Sequence, residues 1–140
     1  MKKILWLCNA TFSDNSIKAT GGWLQPMAEM LQKKSEIQII NITRGNVDKL
    51  TRFDYNDIIQ YIIPNRKELN NNQYASKETC IEVKNIIDGI NPDIIHIWGT
   101  ENIWASIYQQ GYITCKTIID IQGLLFACAD YFYGGLTNSE

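Results

Sequence analysis

Five short apolar runs, Ile4 to Cys8, Ile37 to Thr43, Ile58 to Ile63, Ile94 to Trp98 and Thr117 to Ile121, constrain the fold more than any other feature of the chain. Each is rich in strand-forming side chains and lacks a clean polar alternation, which is the pattern of a strand buried on both faces of a parallel sheet. Helical spacing fills the intervals. Leu24, Met27, Met30 and Leu31 share one face, and Pro26 sits in the first turn, where its missing N–H costs little. Cys80, Val83, Ile86, Ile87 and Ile90 make a second stripe, with Gly89 and Pro92 as its stop signal. Asn102 can cap a third helix carrying Ile103, Trp104, Ile107 and Tyr108, which Gly111 closes.

Strands alternating with helices predict right-handed βαβ units, hence an α/β fold: a Rossmann-like, open, mainly parallel sheet of five to six strands with helices on both faces. The link from Arg44 to Asp57 is polar and is expected to hold a short helix at most, and Asn70-Asn71-Asn72 reads as a surface loop. At 140 residues and 45% hydrophobic content the chain makes one domain with one continuous core.

Composition removes several functions. Thirteen basic against 15 acidic residues, in no blocks, argue against a nucleic-acid face, which needs clustered Lys and Arg. No stretch approaches the roughly 18 apolar residues of a membrane span, and Met-Lys-Lys leads straight into a strand, so the expected location is the cytoplasm. Cys8, Cys80, Cys115 and Cys128 lie in apolar segments without a C-x-x-C pair and read as buried small hydrophobes; with His96 the sole histidine, no metal centre is expected. Leu124 to Ala129 and Tyr131-Phe132-Tyr133, ahead of Gly134-Gly135, predict an apolar surface meant to be covered, through which the piece would self-associate. The chain reads as a part of something larger.

In an open parallel sheet ligands bind beyond the carboxyl ends of the strands, where the strand order reverses. Three groups should converge on that rim: Asn9 to Gly22 after the first strand, Gly99-Thr100-Glu101 after the fourth, Gln122-Gly123 after the fifth. Gly21-Gly22 at a helix start suits either phosphate contact or a plain tight turn, since neither G-x-G-x-x-G nor a P-loop pattern is present, and Trp23 is either a ligand wall or core filling. If Trp98 reaches the rim, His96 points the same way two residues deeper, as a hydrogen-bonded core residue or a catalyst. Glu101 can accept from sugar hydroxyls or complement a helix N-terminus, and Trp98 can stack on a sugar or pack under a helix. Asp120 reads as a hydrogen-bond anchor. No Ser-His-Asp or Cys-His set can be assembled, and no Asp-x-Asp pair offers a metal-bridged phosphate site.

These rim segments, the loop ending in Gly21-Gly22, Asn91-Pro92-Asp93-Ile94-Ile95-His96-Ile97-Trp98-Gly99-Thr100-Glu101 and Ile119-Asp120-Ile121-Gln122-Gly123-Leu124, resemble the amino-terminal domain of family 4 retaining glycosyltransferases, closest to bacterial enzymes of surface polysaccharide synthesis. The resemblance covers nearly the whole chain. It implies that residues 1–140 are the acceptor-side half of a GT-B enzyme whose donor-binding carboxy-terminal domain lies elsewhere, and that the 140-residue chain alone is inactive. It implies a nucleotide-sugar donor as co-substrate with no cofactor and no metal, a glycan or lipid-linked acceptor, and for the lipid-linked case a place at the inner face of the membrane. By the same resemblance Gly21 and Gly22 contact the donor diphosphate, while Trp23, Trp98, Gly99, Thr100, Glu101, Gln122 and Gly123 form the acceptor side or cleft wall. Gln122 stands where many members carry a histidine. A glutamine cannot take up a proton near neutral pH, so the catalytic residues stay unassigned. Two other readings are a stand-alone nucleotide-binding or flavodoxin-like module and a protein-interaction domain.

Overall fold

The computed structural model describes residues 1–14, 22–34 and 36–121. Strands β1 (Lys2–Leu7), β2 (Ile37–Gly45), β3 (Thr51–Tyr55), β4 (Ile58–Pro64), β5 (Ile94–Trp98) and β6 (Thr117–Asp120) alternate with α1 (Leu24–Gln32), α2 (Lys77–Ile90) and α3 (Ile103–Gln109). The described strands form one sheet in the order β3-β4-β2-β1-β5-β6. All neighbours are parallel except β3 and β4. The α/β fold with a mainly parallel open sheet is as the sequence predicts.

The Arg44 to Asp57 link departs from expectation, since it contains edge strand β3 rather than a short helix. Asn56 and Asp57 both take positive φ, 47° and 63°, and close a two-residue hairpin onto β4. That geometry matches the right-handed twist of the flanking strands, and Asn and Asp tolerate it best after glycine. Thr51-Arg52-Phe53-Asp54-Tyr55 is half strand former and half charge, so its polar face masked it.

Every strand except β3 carries apolar side chains on both faces, and the register sorts them into two cores. Leu5, Leu7, Ile40, Ile42, Ile95 and Ile97 pack with Cys80, Val83, Ile87 of α2 and Ile103, Trp104, Ile107 of α3. Trp6, Cys8, Ile39 and Ile58 pack on the other face with Leu24 and Ala28 of α1. The expected stripe of α1 is shifted: Met30 is exposed, and Leu24, Gln25 and Ala28 make its buried face. On α3, Tyr108 likewise points outward.

The stop of α2 also differs. Gly89 lies inside the helix, and Asn91 in the left-handed conformation, φ 50°, returns its N–H to the Ile87 carbonyl. Asparagine can fill the position after a helix that glycine usually takes. At the other end Ser76 Oγ accepts from Thr79 N, and the buried Glu68 carboxylate accepts from Ser76 N at 2.6 Å and Thr79 Oγ at 2.6 Å. A carboxylate there meets the positive end of the helix dipole. Asn70, Asn71 and Asn72 all take positive φ, as a surface turn. Cys8, Cys80 and Cys115 are free thiols, the first two buried; Cys128 lies outside the described residues. Burial pushes the Cys8 thiol up to about 12. Among the described residues no helix is long and apolar enough to cross a membrane, and no cluster of His, Cys, Asp and Glu could hold a metal ion.

Candidate functional site

The strand order fixes where the site must be. From β1 the chain moves to β2 on one side and, later, to β5 on the other, so β1 and β5 are neighbours at the point where the order reverses. Loops leaving their carboxyl ends diverge to opposite faces and leave a crevice. A hydrogen bond crosses it: the Trp104 indole N–H of α3 donates to Asn9 Oδ1 at 2.9 Å. Asn102 caps α3 by accepting from Trp104 N, which holds that indole in place.

The loop after β1 is held by buried polar side chains that the sequence reading did not single out. Asn41 and Gln60, each fully buried, face each other on β2 and β4, with Asn41 Nδ2 donating to Gln60 Oε1 at 3.3 Å and to the Ala10 carbonyl at 2.8 Å. Gln60 clasps the backbone of Phe12 at both its N–H, 2.8 Å, and its carbonyl, 2.9 Å. Farther along, Gln25 of α1 accepts from Ser13 N, and the Tyr55 hydroxyl of β3 donates to Asp14. For Asn41 and Gln60 a signal was present: an amide inside a largely apolar strand must find partners when buried. Here the partners belong to the loop that leads toward the glycine pair.

On the α1 side of β5 the register places His96 and Trp98 beside Trp6 of β1 and beside Ile118 and Asp120 of β6. The His96 ring stacks on Trp98 with centroids 3.8 Å apart, and Trp6 meets Trp98 edge-on at 5.1 Å. The edge-on separation suits aromatic pairing. Trp23 adds a fourth ring, edge-on to Trp98 at 5.2 Å, although it remains 51% exposed. This contact joins the start of α1, one residue after Gly22, to the end of β5. Trp23 is thus neither core filling nor isolated, and His96 and Trp98 share a face as the alternation predicts.

His96 is half-buried, and burial holds its pKa below the ordinary histidine value, while the Asp120 carboxylate opposes the shift. Because His96 is the sole histidine, its ring protons titrate alone in a proton NMR spectrum. They should report a pKa under 6.5, and Asp120→Asn should lower it further by removing the charge that favours imidazolium. A value unchanged or raised in that variant would remove Asp120 from the site.

At the rim itself Gly99 takes φ +87° and donates its N–H to the Asp120 carbonyl at 3.0 Å. The Glu101 carboxylate folds back over the Gly99 Cα, where a Cβ would stand. Thr100 and Glu101 are exposed, and Gly99 is buried. Gly22 lines a cavity of about 310 Å³ with Asp14, Gln25, Pro26, Glu29, Tyr55 and Asn56. Gly21, Gln122 and Gly123 lie outside the described residues, as does the apolar stretch from Leu124 to Tyr133. Of the predicted rim residues, then, Trp23 and Trp98 touch, Gly99 and Glu101 touch, and Thr100 stands exposed between the latter two.

No family model matches the chain, and no curated protein matches it. Among solved structures a match is the one described as trehalose-6-phosphate from E. coli bound with UDP-2-fluoro glucose, at 11% identity and a TM-score of 0.46, covering 86% of this chain. The present chain spans 33% of that chain's length.

Proposed function

We propose that this chain is the acceptor-side domain of a GT-B glycosyltransferase of the family 4 retaining type, which in a longer protein transfers a sugar from a nucleotide sugar to a glycan or lipid-linked acceptor of cell-surface polysaccharide. The observation that carries the reading is the Trp23–Trp98 contact, which draws the glycine-led start of α1 and the end of β5 onto one wall at the switch point. The exposed Trp23 ring beside Trp98, with Glu101 three residues after Trp98, suits a sugar: Trp23 covers its apolar face, and Glu101 accepts from hydroxyls.

Gly22, without a side chain, lets the donor diphosphate approach the backbone, whose N–H groups meet charge as it develops on the leaving phosphate. Asp14 and Glu29 stand in the cavity on one side of Gly22 and repel an anion there. The diphosphate accordingly enters from the Trp98 side. Gly21, Gln122 and Gly123 extend the same wall in this reading. The nucleotide and most donor contacts belong to a second domain, so the 140-residue chain alone is inert and the reaction needs no metal.

Gly22→Ala keeps the backbone N–H but adds a Cβ that holds the diphosphate off it, and should lower transfer by the longer protein about 100-fold, the order of loss when one oxyanion donor is out of reach, while the 140-residue chain keeps its circular dichroism and melting profile. Full activity in that variant would sink the assignment. Calorimetric titration of the chain alone with nucleotides should give little heat; binding with useful affinity would favour a stand-alone nucleotide module instead.

A further inference from the structure

Among the described residues three buried side-chain polar atoms have no hydrogen-bond partner: Thr43 Oγ1, Arg44 Nε and Trp98 Nε1. All three sit at the carboxyl ends of strands, two on β2 and one on β5, the strands that flank β1 at the switch point. Buried donors without acceptors are uncommon. Thr43 and Trp98 face the α1 side of the sheet and Arg44 the opposite side, so Arg44 stands apart from the other two at the edge where an α/β sheet binds ligands.

Arg44 is the informative member. The chain has three arginines, and the other two are satisfied: Arg52 grips Asp54 with Nε and Nη2 at 3.0 and 2.9 Å, and Arg66 pairs with Glu78 at 3.1 Å and Glu82 at 2.5 Å. Among the described residues Arg44 makes no such pair, yet it is half-buried with Nε shielded from water. Guanidinium groups removed from water without a counter-charge are costly, and their paired N–H fork fits a carboxylate or phosphate bidentately. The residue stands one strand from β1, about 4.8 Å across the sheet, and its alternation with Asn41 and Thr43 aims it toward the α2 and α3 side of the rim.

The geometry points to Arg44 as an oxyanion-recognition residue that takes up a phosphoryl or carboxylate group of a bound ligand at this rim. In the transferase reading that ligand is the acceptor, which makes the acceptor class acidic: a phosphate-bearing or uronate-bearing glycan or lipid. The acceptor assignment rests on that reading; anion binding by Arg44 does not.

The test records the arginine Nε–H signals of the ¹⁵N-labelled chain during titration with sodium phosphate and, separately, sodium acetate, with chloride holding ionic strength constant. The Arg44 signal, identified by its absence in Arg44→Lys, should shift and saturate with at least one anion while those of Arg52 and Arg66 stay put. Saturation by phosphate alone assigns a phosphoryl ligand, and by acetate alone a carboxylate. At an anion concentration tenfold over the observed Kd the melting temperature should rise by about 4 °C, and that rise should vanish in Arg44→Gln. Arg44→Gln should itself melt within about 2 °C of the parent, because it breaks no formed hydrogen bond. No shift at Arg44, a shift that never saturates, or equal shifts in all three arginines would overturn the proposal. None of these outcomes depends on sugar transfer, so a failure of the Gly22 prediction and a failure here are distinguishable.

Discussion

Gln60→Leu should lower the melting temperature by about 10 °C, the largest single-site loss expected outside the apolar core. The leucine fills much the same volume and is at home in a buried strand, so packing changes little. What changes is the Phe12 backbone, whose N–H and carbonyl both end on the Gln60 amide. Phe12 is fully buried, so neither group can turn to water. Two orphaned backbone groups at about 1–3 kcal/mol each give a loss of about 3 kcal/mol, and about 3 °C per kcal/mol is usual for a domain of this size. Asn41 loses an acceptor in the same step. Phe12 also stands edge-on to Trp6 at 6.3 Å, and Trp6 touches Trp98, so loosening the loop should reach the rim. Thermal unfolding followed by circular dichroism measures the first effect and indole fluorescence the second. A melting temperature within 2 °C of the parent would show that the loop is not held by this amide.

Gly99→Ala should cost about 2 kcal/mol, and only part of that should depend on Glu101. The backbone part arises because φ is +87°, where a Cβ is strained by about 1–2 kcal/mol in any surroundings. The contact part arises because the new methyl would occupy the place of the Glu101 carboxylate. A carboxylate at the end of a flexible side chain can swing away, so this part is the smaller. Comparing Gly99→Ala, Glu101→Ala and the double variant by denaturant unfolding separates them. The double variant should be less destabilised than the sum of the single changes, by the contact part alone. Strict additivity would mean that Glu101 does not lie over Gly99 in solution. Under the proposed function, Gly99→Ala should also weaken acceptor use by the full transferase, since it moves the Glu101 carboxylate offered to sugar hydroxyls.

The sequence was most readable where one physical requirement dominated. Runs such as Ile94 to Trp98 are short, apolar and rich in β-branched residues, the pattern of buried parallel strands, and a parallel strand order brings its own ligand edge. It was least readable where two requirements competed on a few residues. Thr51 to Tyr55 satisfied strand propensity on one face and solubility on the other, and its pairing was decided by the turn at Asn56-Asp57, a long-range partner that no local window contains. Gly89 had the composition of a helix stop, but Asn91 was equally able to adopt the left-handed conformation and stood two residues closer to Pro92. On α1, Gln25 displaced Met30 from the buried face because Ser13 and Tyr55 supplied the amide with partners.

The site divides in the same way. The sequence by itself determined the parallel α/β class, the rim on which chemistry would gather, and the common orientation of His96 and Trp98, because strand burial and a period of two follow from the order of residues alone. Only the tertiary structure decided that Trp23 meets Trp98, that Asn41 and Gln60 are fasteners for the loop after β1, and that Arg44 is the arginine left without a carboxylate. Each of those depends on which atoms far apart in the chain come within about 3 to 5 Å, the range over which hydrogen bonds and ring contacts act. Distances of that kind are set by sheet register and loop path together.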